Sequence, residues 1–310
     1  MKREVTAFAP ASVSNVSCGF DIMGFALRGA GDTVTARPCE SPGVHIGSIT
    51  GSSSALPLDA AGNTACPPVA ALLARCAPGR GIELDIRKGV PVGGGIGSSA
   101  ASAVAAVLAA DALLGTRLTQ AELLALAVEG EKIASGAVHV DNLAPSLMGG
   151  FVLVRGYDPI DVVSVAVAPG FWCAVVSPDV EIRTEDARKI LPHSVPLRDV
   201  VRQTGNAAGL VAGLLTGDGA LVGRSLVDVI AEPARRHLIP AYEAMRSAAL
   251  GEGALGCGIS GSGPSMYAIG SSEEGAGRAA RAMERALRAA GHECTLIVSP
   301  VGAPGASVMT

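Results

Sequence analysis

Gly93-Gly94-Gly95-Ile96-Gly97-Ser98-Ser99 is the stretch whose residue types most directly imply chemistry. Successive glycines carry no Cβ, so their backbone N–H groups can converge on one point and let a ligand come close. The serines open a breaker-free run, 100–114, with strong helix propensity. A helix N-terminus adds the positive end of its dipole, so an anion is favoured there. Hydroxyls at Ser98 and Ser99 can donate to a phosphate or serve Mg²⁺ as hard oxygen ligands. Taken alone, the stretch also reads as a tight turn where backbone meets helix. The Gly-x-x-x-x-Gly-Lys-Ser/Thr phosphate loop is excluded, because none of Lys2, Lys88, Lys132 and Lys189 follows a glycine. The dinucleotide pattern Gly-x-Gly-x-x-Gly fails as well, since Gly93 and Gly95 would require glycine where Ser98 stands.

These residues must be held by the elements around them. Ile82, Leu84 and Ile86 alternate through 81–90, a strand with one buried face that runs into the loop. Residues 5–9 alternate likewise and are expected to stop at Pro10, with a loop over 12–21. Residues 22–27 and 32–36 read as two short strands, 41–63 as loops, and 67–76 as a helix ended by Gly79-Arg80-Gly81. Thr119-Gln120-Ala121-Glu122 fits a capping box and opens a helix to about Ala134. Strands are predicted at 151–154 and 172–176, with Gly and Pro punctuating 156–170 between them. The domain boundary is placed there, giving domains 1–160 and 161–310. The second half predicts helices over 185–190, 198–216, 241–251 and 274–290, and a strand over 294–298. A second glycine-rich loop, 256–264, leads into a strand at 265–269, and the tail from Gly302 is expected to fray.

Composition bounds the class. The 310 residues allow one large domain or two compact ones with a real core. A formal charge of −4, from 24 Lys+Arg against 28 Asp+Glu, argues against a surface evolved to bind nucleic acid. Aromatics are only 3%, so the core must be built from small aliphatic residues, and the abundant Val, Leu and Ala argue against disorder despite 40 Gly. Cys18, Cys39, Cys66, Cys76, Cys173, Cys257 and Cys294 are scattered and form no C-x-x-C pair, so neither a zinc site nor a disulfide framework is indicated. No signal-peptide core follows Lys2 and Arg3, and the most apolar stretch, 100–115, is interrupted by Asp111. It is shorter than the roughly 20 residues of a membrane span. No membrane association and a cytoplasmic location are expected.

Pro91-Val92-Gly93-Gly94-Gly95-Ile96-Gly97-Ser98-Ser99-Ala100-Ala101 resembles the ATP-binding motif of the GHMP kinases, the galacto-, homoserine, mevalonate and phosphomevalonate kinases. Residues 9–21 resemble their first motif and 258–264 their third. The stretches 139–145, 185–192 and 232–240 are similar to the homoserine-phosphorylating members, so the resemblance runs in order from 9 to about 268. It implies an α+β fold of two domains, an N-terminal α/β nucleotide-binding domain and a C-terminal ferredoxin-like α+β sandwich, with ATP and substrate between them. The implied activity is ATP-dependent phosphorylation of L-homoserine for threonine synthesis, by a homodimer that uses Mg²⁺.

By the same resemblance Pro91, Val92, Gly93, Gly94, Gly95, Ile96, Gly97, Ser98, Ser99, Ala100 and Ala101 would surround the phosphates, with Asn63 beside the adenine. Ser99 and Glu131 would hold Mg²⁺. Asn15, Asp21, His139, Asp141, Arg188 and Arg235 would line the homoserine site, closed by Gly261 and Ser262, with Asp141 orienting the substrate hydroxyl and accepting its proton. Ser17 stands where the first motif usually has glycine, and Ile96 where the ATP motif has Leu or Met. The charges agree with an amino-acid substrate, because the arginine fork binds both oxygens of a carboxylate. On their own, each arginine reads as a surface ion-pair residue and Glu131 as a solvated helix charge. A kinase for a mevalonate-type or sugar alcohol, a non-catalytic sensor on the same fold, and a nicotinamide-dependent dehydrogenase remain as competing readings.

Overall fold

The computed structural model describes residues 3–52, 55–135 and 138–309. Ser53 and Ser54, within the expected 41–63 loop, lie outside the described residues, as do Met1, Lys2 and Thr310.

Strand β1, Val5–Ser14, does not stop at Pro10. It pairs antiparallel with β2, Met23–Cys39, and the register shifts between Pro10 and Ser12. Such a bulge accommodates a residue that has no N–H to give to the ladder. The two strands expected at 22–27 and 32–36 are therefore one long strand, and the loop expected at 12–21 begins only after Ser14. Strand β3, Gly43–Thr50, falls where loops are expected and pairs in parallel with β4, Gly81–Arg87. Val44 is the one buried residue of β3, Ile46 and Ile49 are partly buried, and a register shift between Ile46 and Ser48 interrupts the apolar alternation.

Four helices cover this sheet: α1, Cys66–Cys76; α2, Ser98–Leu114; α3, Gln120–Ser135; and α4, Val140–Met148. The capping box holds: Thr119 N–H donates to Glu122 Oε2 at 2.9 Å, and Glu122 N–H donates back to Thr119 Oγ1 at 3.3 Å. Helix α2 packs against β1, β2, α1, α3 and α4. It is buried nearly all round, and its alanines let those neighbours approach closely. Strands β5, Phe151–Tyr157, and β6, Ile160–Val165, extend the sheet from β2. Because β6 is hydrogen-bonded to β5, the first sheet runs to Val165, within the 156–170 stretch where the boundary is expected.

The second sheet has the order β10-β7-β9-β8 and is antiparallel throughout. Its strands are β7, Trp172–Pro178; β8, Gly256–Ile259; β9, Met266–Gly270; and β10, Cys294–Pro300. The glycine-rich stretch 256–264 is thus a strand up to Ile259 and a loop only beyond it. Helices α5 (Thr184–Lys189), α6 (Leu197–Thr216), α7 (Gly219–Ser225) and α8 (Glu232–Arg235) lead to α9 (Tyr242–Gly251) and α10 (Glu273–Ala289). The last two pack together and against this sheet.

The tail returns to the first sheet: β11, Ser307–Val308, pairs with β1, and Ala306 N–H donates to the Ser146 carbonyl at 2.9 Å. Those bonds and the buried Ala303 hold the segment expected to fray. Between the sheets lies a shared apolar core in which Phe25 stacks on Phe151, with centroids 6.0 Å apart, and meets Tyr267 edge-on at 6.5 Å. The architecture is a two-domain α+β fold. Among the described residues, no helix is long and apolar enough to cross a membrane.

Candidate active site

Strand β4 delivers the chain into the glycine loop, where Gly93, Gly95 and Gly97 take φ of 67°, 76° and 72°. At Gly95 glycine is required twice over. The φ is left-handed, and a Cβ there would sit 2.5 Å from the Gly263 carbonyl oxygen and 2.7 Å from that of Ser260. The close approach is used: Ser260 Oγ donates to the Gly95 carbonyl at 2.8 Å, and Ser265 N–H donates to that of Gly94 at 3.2 Å. The two glycine loops are thereby stitched together across the sheets. Ser98 Oγ donates to the Val90 carbonyl at 3.1 Å, and Ser99 Oγ donates to Glu131 Oε1 at 2.6 Å.

A cavity of about 320 Å³ opens over this loop. It is lined by Asn63, Val92, Gly93, Gly94, Gly95, Gly97, Ser98, Ser99 and Glu131, and also by Asn15, Asp21, His139, Asp141, Arg188, Arg235, Gly261 and Ser262. Four motif residues are not brought to it. Ile96 and Ala101 belong to the core between the sheets, Ala100 to the core under the first sheet, and Pro91 is exposed. The first turn of α2 directs Ala100 and Ala101 inward, as helix periodicity dictates. Asn63 spends its amide on the turn before α1, donating to the Pro57 carbonyl at 3.0 Å and accepting from Ala65 N–H at 3.1 Å.

Asp141 lies in the first turn of α4 and is 1% exposed. Its Oδ2 accepts from Asn15 N–H at 3.3 Å, while its Oδ1 is buried without a partner. Burial above all, with the nearby Asp21 carboxylate, pushes its pKa up to about 7 against the pull of His139. Asn15, Val16 and Ser17 form a left-handed run with φ of 69°, 40° and 55°, and Asp21 follows at 59°; Asn and Asp tolerate that region, whereas the β-branched Val16 disfavours it. The run is tied down by Asn15 Nδ2 to the Gly261 carbonyl at 2.7 Å and by Asp21 N–H to Asn15 Oδ1 at 2.9 Å. Ser17 keeps the backbone shape that glycine would adopt freely, anchored by a 2.7 Å hydrogen bond between its hydroxyl and that of Tyr267.

Around Asp141 the charges are interlocked. His139 Nδ1 is 3.1 Å from Glu131 Oε2, and Arg188 Nη2 donates to both oxygens of Asp21 at 2.9 Å. Burial opposes a charge on His139, but the hydrogen bond to Glu131 and the carboxylates of Glu131, Asp141 and Asp21 outweigh it and raise its pKa. Arg188 Nε is buried and unpartnered. Arg235 is 3% exposed, and burial draws its pKa below the ordinary value. It donates to the carbonyls of Ala187 at 3.0 Å and Gly261 at 3.1 Å. An orphaned acceptor and an orphaned donor in one cavity suit a ligand that carries both functions.

Several lining residues escape sequence reasoning. Lys88 is buried beside the loop, paired with Asp32 and donating to the Ser98 carbonyl at 3.0 Å and to Ser102 Oγ at 2.9 Å. Nothing in its spacing marks it; its role comes from burial under α2. Asn142 accepts from Ser12 Oγ and donates to Ser14 Oγ, both at 2.9 Å, and its place beside Asp141 was the available signal. Among the described residues, no group of three or more His, Cys, Asp or Glu could by itself hold a metal. Ser99 and Glu131 nevertheless fit Mg²⁺, as adjacent hard oxygen donors at the phosphate loop whose remaining positions phosphate and water would fill.

Residues 64–150 match the family model of the GHMP kinases N terminal domain, and residues 196–289 that of the GHMP kinases C terminal. The chain is 45% identical to a homoserine kinase of Chlorobium phaeovibrioides over 99% of its own length and 100% of that protein's. It is 42% identical to the homoserine kinase of Xanthomonas campestris pv. campestris, covering 94% of it. The crystal structure of homoserine kinase from Cytophaga hutchinsonii matches with a TM-score of 0.96 at 47% identity, over 100% of this chain and 98% of that one. An L. major mevalonate kinase, at 17% identity and a TM-score of 0.71, shares the fold.

Proposed function

The chain belongs to the GHMP kinase family, among its homoserine kinases, and from that premise we propose that it transfers the γ-phosphoryl group of ATP to the side-chain hydroxyl of L-homoserine. The observation that carries the reading at the site is one cavity joining the glycine loop to the unpartnered Asp141 Oδ1 and Arg188 Nε.

Phosphoryl transfer needs positioning and charge neutralisation more than covalent help. The backbone N–H groups of the loop and the start of α2 hold the phosphates. Ser99 and Glu131 would hold Mg²⁺, which when bound withdraws charge from the phosphate oxygens. Arg188 and Arg235 bind the carboxylate of the amino acid, and Asp21 and Asn15 face its ammonium. Asp141 Oδ1 accepts the hydrogen bond of the substrate hydroxyl, aims its oxygen in line with the γ-phosphorus and takes its proton. Asn63 lies beside the adenine, Gly261 and Ser262 close the amino-acid end, and the protein works as a cytoplasmic homodimer.

A coupled ADP-release assay tests the reading with L-homoserine, mevalonate, galactose, serine and threonine. L-Homoserine is expected to give the highest kcat/KM, and comparable turnover of mevalonate or galactose would defeat the assignment. Asp141→Asn is expected to lower kcat by about 10²-fold or more. A near-wild-type kcat would remove Asp141 from the proton transfer.

A further inference from the structure

Phe20 is a phenyl ring placed among cations. Among the described residues it joins none of the three apolar clusters, and it stays half-buried at the end of the left-handed turn. The guanidinium carbon of Arg235 lies over its ring 5.2 Å from the centroid, and that of Arg188 lies over the same ring at 5.7 Å. The arginines come from separate elements, Arg188 from α5 and Arg235 from the end of α8.

We infer that Phe20 is a positioning residue that sets both guanidinium groups for the carboxylate of the amino-acid substrate, and so governs affinity for that substrate rather than phosphoryl transfer. The inference rests on the function proposed above. Two like charges held in one partly desolvated site repel: after burial, which lowers the Arg235 pKa most, the Asp21 carboxylate raises it and the Arg188 cation draws it down again. Arg188 offsets this with the Asp21 carboxylate. Arg235 forms no ion pair among the described residues, and its hydrogen bonds go to backbone carbonyls. The carboxylates of Asp21, Asp228 and Asp141 favour its charge without pairing with it, and the group its guanidinium lies directly over is the ring. An aromatic face carries the negative side of a quadrupole and attracts cations within about 6 Å of its centroid. Both arginines meet that condition on one ring, so one side chain joins two forks that are otherwise held separately, Arg188 by Asp21 and Arg235 by backbone carbonyls, before any anion arrives. An aliphatic residue of similar size would fill the space but give no attraction, leaving the forks to splay apart.

The test compares Phe20→Leu and Phe20→Tyr with the wild-type protein in the same ADP-release assay. Phe20→Leu is expected to raise KM for L-homoserine about tenfold, while kcat and KM for ATP stay within about twofold. The tyrosine variant keeps the ring face and should hold KM close to the wild-type value. A KM unchanged in Phe20→Leu would overturn the inference. So would an equal loss in both variants, or a joint decline of kcat, ATP affinity and melting temperature, which marks a merely structural role. A wild-type protein inactive on L-homoserine overturns the functional reading itself, and the inference falls with it; the wild-type arm separates the two failures.

Discussion

Asp141 sets binding against stability within one side chain. Wholly buried at the start of α4, with Oδ1 unpartnered, it keeps its proton up to about 7, whereas an aspartate in an unfolded chain loses it near 4. Between those values the folded protein binds more protons than the unfolded chain, so stability falls as pH rises. The contribution of the neutral carboxyl is complete below about pH 4 and is lost as pH climbs through about 7. In the proposed mechanism catalysis runs the other way, since only the carboxylate can take the hydroxyl proton, and kcat/KM for L-homoserine should rise through the same interval. Asp141→Asn keeps the shape without the charge. It is expected to stabilise the ligand-free protein near pH 8, on the order of a few kcal/mol, with the gain shrinking towards pH 4. Thermal melts across that range check this, and a gain independent of pH would contradict the raised pKa.

At the scale of elements, the first glycine loop is held by its neighbours rather than by its own sequence. Gly94 and Gly95 give their carbonyls to Ser265 and Ser260, and beneath the loop the Lys88–Asp32–Ser102 cluster ties β4 and β2 to α2. Gly95→Ala puts a methyl group against two carbonyl oxygens at a left-handed φ. The expected cost is about 2–4 kcal/mol in urea unfolding, accompanied by a raised KM for ATP. An unchanged midpoint would mean that the two loops can separate freely. What the sequence makes legible follows from the same distinction. Elements with their own period or cap, such as α2, α3, α6, α10 and β4, are readable because local pattern and tertiary burial coincide. Strand β3 is not, because a register shift between Ile46 and Ser48 breaks its alternation and leaves Ile46 and Ile49 only partly buried, and Pro10 misleads because a bulge removes the need for its N–H. Motif resemblance brings Gly93, Ser99, Asp141 and Arg188 to the cavity, but it also includes Ile96, Ala100 and Ala101, which point into cores. Lys88 and Phe20 are silent in sequence since the role of Lys88 arises only when β2 and α2 close over it, and that of Phe20 only when α5 and α8 converge on its ring.

The whole molecule explains why the two halves must be one cooperative unit. The glycine loop belongs to the first sheet's half, while Arg188, Arg235 and Gly261 belong to the second, so the cavity exists only in their register. That register is held by the core between the sheets, where Phe25 and Phe151 from the first meet Val175, Tyr267 and Ile269 of the second. In a chain with only 3% aromatics, this cluster concentrates large rings where they join the halves, and the small-residue core of α2 lies elsewhere. The returning strand β11 adds a second tie, since a chain leaving β10 must cross back to β1. Denaturation should therefore be a single transition despite the two sheets. Trp172, the single tryptophan, sits on β7 with Arg28 of β2 5.1 Å from its ring, so its fluorescence reports the second sheet and its junction, whereas far-UV circular dichroism reports both. The two probes are expected to give coincident urea curves. Tyr267→Ala, which empties the junction and strands the Ser17 hydroxyl, should shift both curves together by about 3–5 kcal/mol. If the fluorescence curve moved alone, the halves would be folding independently, and the apolar junction would not be what keeps the cavity assembled.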